Sequence, residues 1–301
     1  MLVTKTENGL FCEQGNFYID PWKPVDAAVI THAHSDHARI GSRYYLTETS
    51  GKSILQQRLG PDARIETLPY GESVSRNDVK ISLHPAGHIL GSAQVRIESG
   101  GEVCVVSGDY KLEHDGICQP FEPVRCHMFV TESTFGLPIY HWRPQAEIFA
   151  EINDWWRENR SRERTSVIFC YALGKAQRIL SGLDASIGPI FLHGAMERFM
   201  PAYHQAGVQF PATTRATAEL VKGAGGRAVV LAPTSADNSS WLRKFGAVST
   251  AFTSGWMQIR GTRRRRSLDR GFVLSDHADW TGLLETIDAT GAETVWATHG
   301  Y

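Results

Sequence analysis

The sequence predicts an α/β protein in which one strand-rich domain is interrupted by a second α/β segment. Three observations carry this. The first third reads as short strands separated by Gly and Asp turns. From Pro144 the pattern changes to strands alternating with helices. After about Gly255 the chain turns basic, then returns to a strand, a helix and a last strand. Alternation of that kind implies parallel βαβ units. The expected boundaries are 1–143 for the first part, 144–256 for the insert and 257–301 for the returning part.

Taken in order, "NFYID" and "AAVIT" are β-rich, and "DVKISLH", "AQVRIES" and "EVCVVSGD" follow. β-Branched residues in short runs bounded by turn formers support strands. "PQAEIFAEINDWWRENR" is an amphipathic helix with Pro at its start. "TSVIFCYALGKAQRILSGL" gives a buried strand, a Gly-containing turn and a helix, and "GPIFLHGAMERFMPAYHQAG" and "GRAVVLAPTSADNSSWLRKFG" repeat the pattern. The chain closes with "GFVLSD", "WTGLLETIDATG" and "ETVWATHGY".

Composition sets the class. Of 301 residues, 31 are basic and 32 acidic, so any nucleic-acid signal must be local. Cys12, Cys104, Cys118, Cys126 and Cys170 are odd in number and contain no CxxC, which argues against a disulfide framework or a zinc ribbon. The N-terminus lacks an apolar signal core, and no apolar run reaches membrane-spanning length. A soluble cytoplasmic protein without membrane association is expected.

The chemistry is concentrated after "AAVIT". His32, His34, Asp36 and His37 form HxHxDH in a loop that leaves a buried strand. Imidazole nitrogen and carboxylate oxygen suit zinc and similar divalent ions. One loop cannot complete two coordination shells, so further ligands must lie downstream. His88 in "HPAGHILGSA", Asp109 in "VVSGDY" and His299 in "VWATHGY" each follow an apolar strand and lie beside glycine or a turn. Singly each reads as a structural cap; together they read as ligands. His84 ranks behind His88 because it sits earlier in its strand run.

This ordered set resembles the metallo-β-lactamase fold over the first 140 or so residues and the last 40 or so. The resemblance implies an αββα sandwich with a dinuclear site at one edge. It implies that His32, His34 and His88 hold one metal, that Asp36, His37 and His299 hold the other, and that Asp109 bridges. Asp20 in "YID" matches an aspartate that supports the metal loop without being a ligand. The two ions would be zinc, with manganese as the alternative.

Two further stretches narrow the chemistry. Glu132 in "FVTESTFGLP" and His277 in "FVLSDHADW" each follow a buried strand. They look like elements of the β-CASP nucleases, which include the mRNA 3′-end cleavage endonuclease and the bacterial ribonucleases J. The insert then corresponds to a small α/β cap domain, which "YALGKAQRIL" also resembles. The implied catalytic set is His277, Glu132 and Asp36. His277 protonates the leaving sugar oxygen, and Glu132 holds its imidazole. Gly174 and Lys175, at a helix start, would receive a backbone phosphate.

Over nearly the whole chain, "GNFYIDPWKPVDAAVITHAHSDHA", "GWMQIRGTRRRRSLDRGFVLSDHADW" and "ATHGY" look like ligase-associated DNA exonucleases. That implies a substrate of single-stranded DNA or DNA ends, and functional association with an ATP-dependent DNA ligase and a helicase. The insert is short beside those of RNA-cleaving relatives, and the chain stops two residues after His299, where a closing element is expected. His299 itself resembles the RNA-cleaving members, so an RNA-processing ribonuclease is the alternative. A small-molecule metallohydrolase would leave Glu132, His277, the insert and the arginines without a use. A binding subunit without catalysis would lack ligands. Arg260, Arg263, Arg264, Arg265, Arg266 and Arg270, six arginines against Asp269 alone, leave a local charge of +5 just before "SDHAD". Guanidinium groups there would bind phosphates.

Overall fold

A computed structural model describes residues 1–259 and 269–298. The chain falls into two compact units, one made of Met1–Ile139 with the stretch from His277 onward, the other of Tyr140–Asp276.

In the first unit, β1 (Thr4–Thr6), β2 (Gly9–Cys12), β3 (Phe17–Ile19), β4 (Ala27–Val29), β5 (Tyr44–Glu48) and β6 (Ile65–Leu68) form one sheet in chain order. A second sheet contains β7 (Ser73–Arg76), β8 (Val79–Pro85), β9 (Ala93–Ser99), β10 (Glu102–Val106) and β11 (Met128–Glu132). Its far edge is the strand Thr294–Thr298, which pairs in parallel with β11. Alternation along the strands sends every second side chain inward. Ile81, Leu83, Val95, Ile97 and Val130 of the second sheet therefore meet Ile19, Ala27 and Val29 of the first in one dry core. Each fully buried Val, Ile or Leu among them contributes about 1.5–3 kcal/mol of hydrophobic stabilisation. The opposite face of the second sheet presents Val105 and Phe129 to Ile287 of the helix Trp280–Thr290. Asp279 caps that helix by accepting from the Gly282 amide at 2.8 Å.

In the second unit, β12 (Thr165–Phe169), β13 (Ile190–Leu192), β14 (Thr213–Arg215), β15 (Val229–Ala232), β16 (Val248–Thr253) and β17 (Arg270–Phe272) form an all-parallel sheet in the order β14-β13-β15-β12-β16-β17. Both faces of such a sheet need cover, so its strands read as continuous apolar runs. "TSVIF" and "VVLA" are buried throughout. One face packs on Ile148, Ile152 and Trp156 of the helix Gln145–Ser161 and on Ile179 and Leu180 of the helix Lys175–Ser181. The other packs on Val221, Phe245 and Met257.

The sequence reading returns to the first domain at residue 257. The contacts instead keep the chain in the second unit through Asp276, because β17 pairs with β16. No helix among the described residues is long and apolar enough to cross a membrane.

Candidate metal centre

The HxHxDH loop leaves β4 and is stapled to the end of β3. Asp20 Oδ1 accepts from the Thr31 amide at 2.8 Å, and Oδ2 accepts from Thr31 Oγ1 at 2.6 Å and meets His37 Nδ1 at 2.7 Å. Thr31 Oγ1 also lies 3.1 Å from His32 Nδ1, which orients that ring from behind. The loop turns through a hydrogen bond from the Ala38 amide to the His34 carbonyl.

Three imidazoles converge. His34 Nδ1 lies 3.0 Å from His32 Nε2 and 3.1 Å from His88 Nε2. Asp109 Oδ2 lies 3.5 Å from His32 Nε2, 3.4 Å from His37 Nε2 and 3.7 Å from His88 Nε2. Asp109 Oδ1 is buried without a hydrogen-bond partner among the described residues. One ligand atom each from His32, His34, His88 and Asp109 lies within 4.8 Å of the others. Tetrahedral zinc bonds of about 2.0–2.1 Å place ligand atoms about 3.4 Å apart. The separations here bracket that value, and the donor set is nitrogen with a carboxylate. The residues therefore fit a divalent ion.

Two glycines permit the approach. Gly108 has φ 58°, and a Cβ there would stand 2.6 Å from the Thr31 side chain. Gly87 has φ 73°, and a Cβ there would stand 2.4 Å from the Lys111 carbonyl oxygen. The "AGH" and "SGD" glycines thus let β8 and β10 bring His88 and Asp109 against the first loop.

Burial, reinforced by the charge of His37, holds His32 well below its ordinary imidazole value and so in the neutral, ligating form. Burial also opposes a charge on His37, but the Asp109 and Asp20 carboxylates outweigh it and raise its value well above the ordinary one. Burial pushes Asp109 up, and His37 and His277 more than offset that, leaving it well below the usual carboxylate range.

Beside this cluster, Glu132 is fully buried at the end of β11. Its Oε1 accepts from the Tyr110 amide at 2.7 Å, and its Oε2 meets His277 Nδ1 at 2.8 Å. His277 keeps 23% of its side chain exposed and its Nδ1 lies 4.0 Å from Asp109 Oδ2. Glu132 and His277 thereby form a bonded pair next to the imidazole cluster.

The other sequence candidates fall as follows. Asp36 is exposed and outside the four-residue cluster; with His37 and Asp20 it lines a cavity of about 730 Å³ that also meets Trp22 and Trp296. His84 faces Ser82 Oγ at 3.0 Å, away from the cluster. Lys175, read from sequence as a phosphate contact, is buried: its Nζ donates to the Leu274 carbonyl at 2.8 Å and lies 2.9 Å from Asp276 Oδ1. A cation already desolvated and paired inside the unit is not presented to a strand. His299, Arg260 and Arg263 to Arg266 lie outside the described residues.

No family model matches the chain. Over 299 residues, 99% of its length, it is 31% identical to a protein of Opitutus terrae described as "Probable DNA ligase". Over 123 residues, 40% of this chain, it is 32% identical to Endoribonuclease YSH1 of Saccharomyces cerevisiae. Over 212 residues, 56% of this chain, it is 29% identical to Transcription termination factor FttA of Pyrococcus abyssi. The chain belongs to the β-CASP group of the metallo-β-lactamase family. It spans 29%, 16% and 33% of those three proteins respectively. Among solved structures, a protein of unknown function from Enterococcus faecalis V583 matches with a TM-score of 0.65 at 13% identity, over 91% of this β-CASP chain and 75% of the other, a likeness of fold.

Sequence reasoning missed three contributors. Thr31 ties Asp20 to His32, and the Tyr110 amide fixes Glu132. Asp276, which receives Lys175 and Arg178, is the third. Their one visible signal is adjacency, since each is the chain neighbour of a residue read as functional.

Proposed function

We propose that this chain is a metal-dependent phosphodiester hydrolase that degrades DNA, acting as an exonuclease on single strands or strand ends. The observation that carries the hydrolase reading is the Glu132–His277 pair beside the His32, His34, His88 and Asp109 cluster. Similarity over almost the whole chain to a protein described as a probable DNA ligase supports DNA as substrate and work alongside a ligase. A role in repair with a helicase is what the resemblance to ligase-associated DNA exonucleases implies. The segment Tyr140–Asp276 is read as the cap inserted into the hydrolase domain.

His32, His34 and His88 would hold one ion and Asp36, His37 and His299 a second, with Asp109 between them. Zinc is the natural occupant of this donor set, with manganese as the alternative. Bound there, the ions supply Lewis acidity that neutralises non-bridging phosphate oxygens and lowers the pKa of attacking water. The protein does the rest. Glu132 Oε2 accepts from His277 Nδ1, which holds the ring in one orientation. His277 Nε2 is then the atom that delivers a proton to the departing sugar oxygen. The Tyr110 amide keeps Glu132 in place, and Asp20 keeps the ligand loop closed on the strand end.

RNA is the second reading. His299 and the similarities to Endoribonuclease YSH1 and Transcription termination factor FttA favour it. End-labelled DNA and RNA strands, each with free and blocked ends, distinguish the two across a panel of divalent ions. Degradation of DNA from a free end, abolished by chelation and restored by zinc or manganese, is expected. Efficient RNA degradation with no action on single-stranded DNA overturns the DNA assignment.

A further inference from the structure

We propose that Lys175, Arg178 and Asp276 form a positioning network for His277. This rests on the reading of His277 as the general acid. The three side chains are only 4%, 2% and 7% exposed. Arg178 NH1 donates to the Ser275 carbonyl and lies 3.2 Å from Asp276 Oδ1. Lys175 Nζ takes the Leu274 carbonyl and the same carboxylate oxygen. Arg178 Nε is itself held by Gln145 Oε1 at 3.0 Å.

Three consecutive residues, Leu274, Ser275 and Asp276, are thus each tied by a buried cation, and His277 is the next residue. On its other side, the Ala278 amide donates to the Tyr110 carbonyl at 2.7 Å, while the Tyr110 amide holds Glu132. His277 therefore lies between two pinned neighbours. Apolar residues of similar volume would serve stability at least as well as buried charges, whose desolvation is costly. What charged, directional bonds add is definition of the backbone, and a proton donor needs that. The bonds that Lys175 and Arg178 make to Leu274, Ser275 and Asp276 end one residue before His277, so their effect on turnover would pass through the imidazole.

The test is a set of full-length variants assayed for kcat, KM and metal content. Lys175→Met leaves the Arg178–Asp276 pair neutral. It is expected to lower kcat on DNA about tenfold with KM and metal content unchanged. On a p-nitrophenyl phosphodiester, whose leaving group needs no proton, the loss should disappear, and Lys175→Arg should restore turnover on DNA. In a His277→Ala background the same substitution should cost nothing more, because two residues acting through one ring are not additive. Should Lys175→Met fail to fold, Asp276→Glu, which keeps the charge and shifts the carboxylate, reads out in the same way. An equal loss on both substrates, a fall in metal content or a further loss in the His277→Ala background overturns the proposal. If His277→Ala alone leaves DNA turnover intact, the acid assignment itself fails and the positioning role falls with it.

Discussion

Asp109 presents Oδ2 to His32, His37 and His88 at 3.5, 3.4 and 3.7 Å, while Oδ1 is buried without a hydrogen bond from any described residue. A carboxylate desolvated in that way is costly unless a cation meets it. Asp109→Ala should therefore lose activity and at least one bound ion. Elemental analysis decides: full metal occupancy with normal turnover would remove Asp109 from the centre. His277→Ala should behave differently. It should keep its metal and lose about 10²–10⁴-fold in turnover, with much of the rate recovered on a good leaving group. Loss of metal in that variant would mark the ring as a ligand. At this scale the residues that converge were legible because each follows a buried strand and lies beside glycine or a turn. Backbone donors such as the Tyr110 amide leave no trace in residue type. Lys175 was misread for a related reason. Its partners lie about a hundred positions downstream, and a helical cation that points inward has the same spelling as one that points out.

At the level of elements, the centre is a set of strand ends held close together. The loop after β4 is closed by Asp20 at the end of β3, and the turn after β10 presses on Thr31 at Gly108. Gly108→Ala should cost about 1–3 kcal/mol, because it adds a left-handed strain and a clash to the same turn. Denaturant unfolding measures that cost, and a titration of the variant should show weaker metal binding. Unchanged stability and affinity would show that the turn can open without penalty. The strand–helix pattern of the insert was readable because a parallel sheet imposes unbroken apolar runs such as "TSVIF". The return point was not. β17 is only three residues long, and nothing in "RGF" says which sheet it will join.

For the whole molecule, a net charge of −1 hides a local excess of arginine. If the run Arg263 to Arg266 contacts a strand, replacing it with alanine should weaken DNA binding. Each lost phosphate contact should flatten the salt dependence by about 0.7 in logarithmic slope for single strands. Metal content should stay as in the parent. Equal slopes for both proteins would dismiss the arrangement.

The first unit is also discontinuous. Glu132 and His277 are 145 residues apart in sequence, and β11 waits for the strand Thr294–Thr298 to complete its sheet. The second unit, by contrast, is one uninterrupted stretch. A chain emerging from the ribosome therefore has the whole second unit available before His277 and the strand Thr294–Thr298 exist. Local segments close sooner than distant ones, because chain entropy penalises long loops. The order of assembly follows: amides of β12, β15 and β16 should gain hydrogen-exchange protection before those of β11. On that order the imidazoles of the first loop are made long before Glu132 gains its His277 partner, so the parts of the candidate centre come together late although most of them are synthesised early.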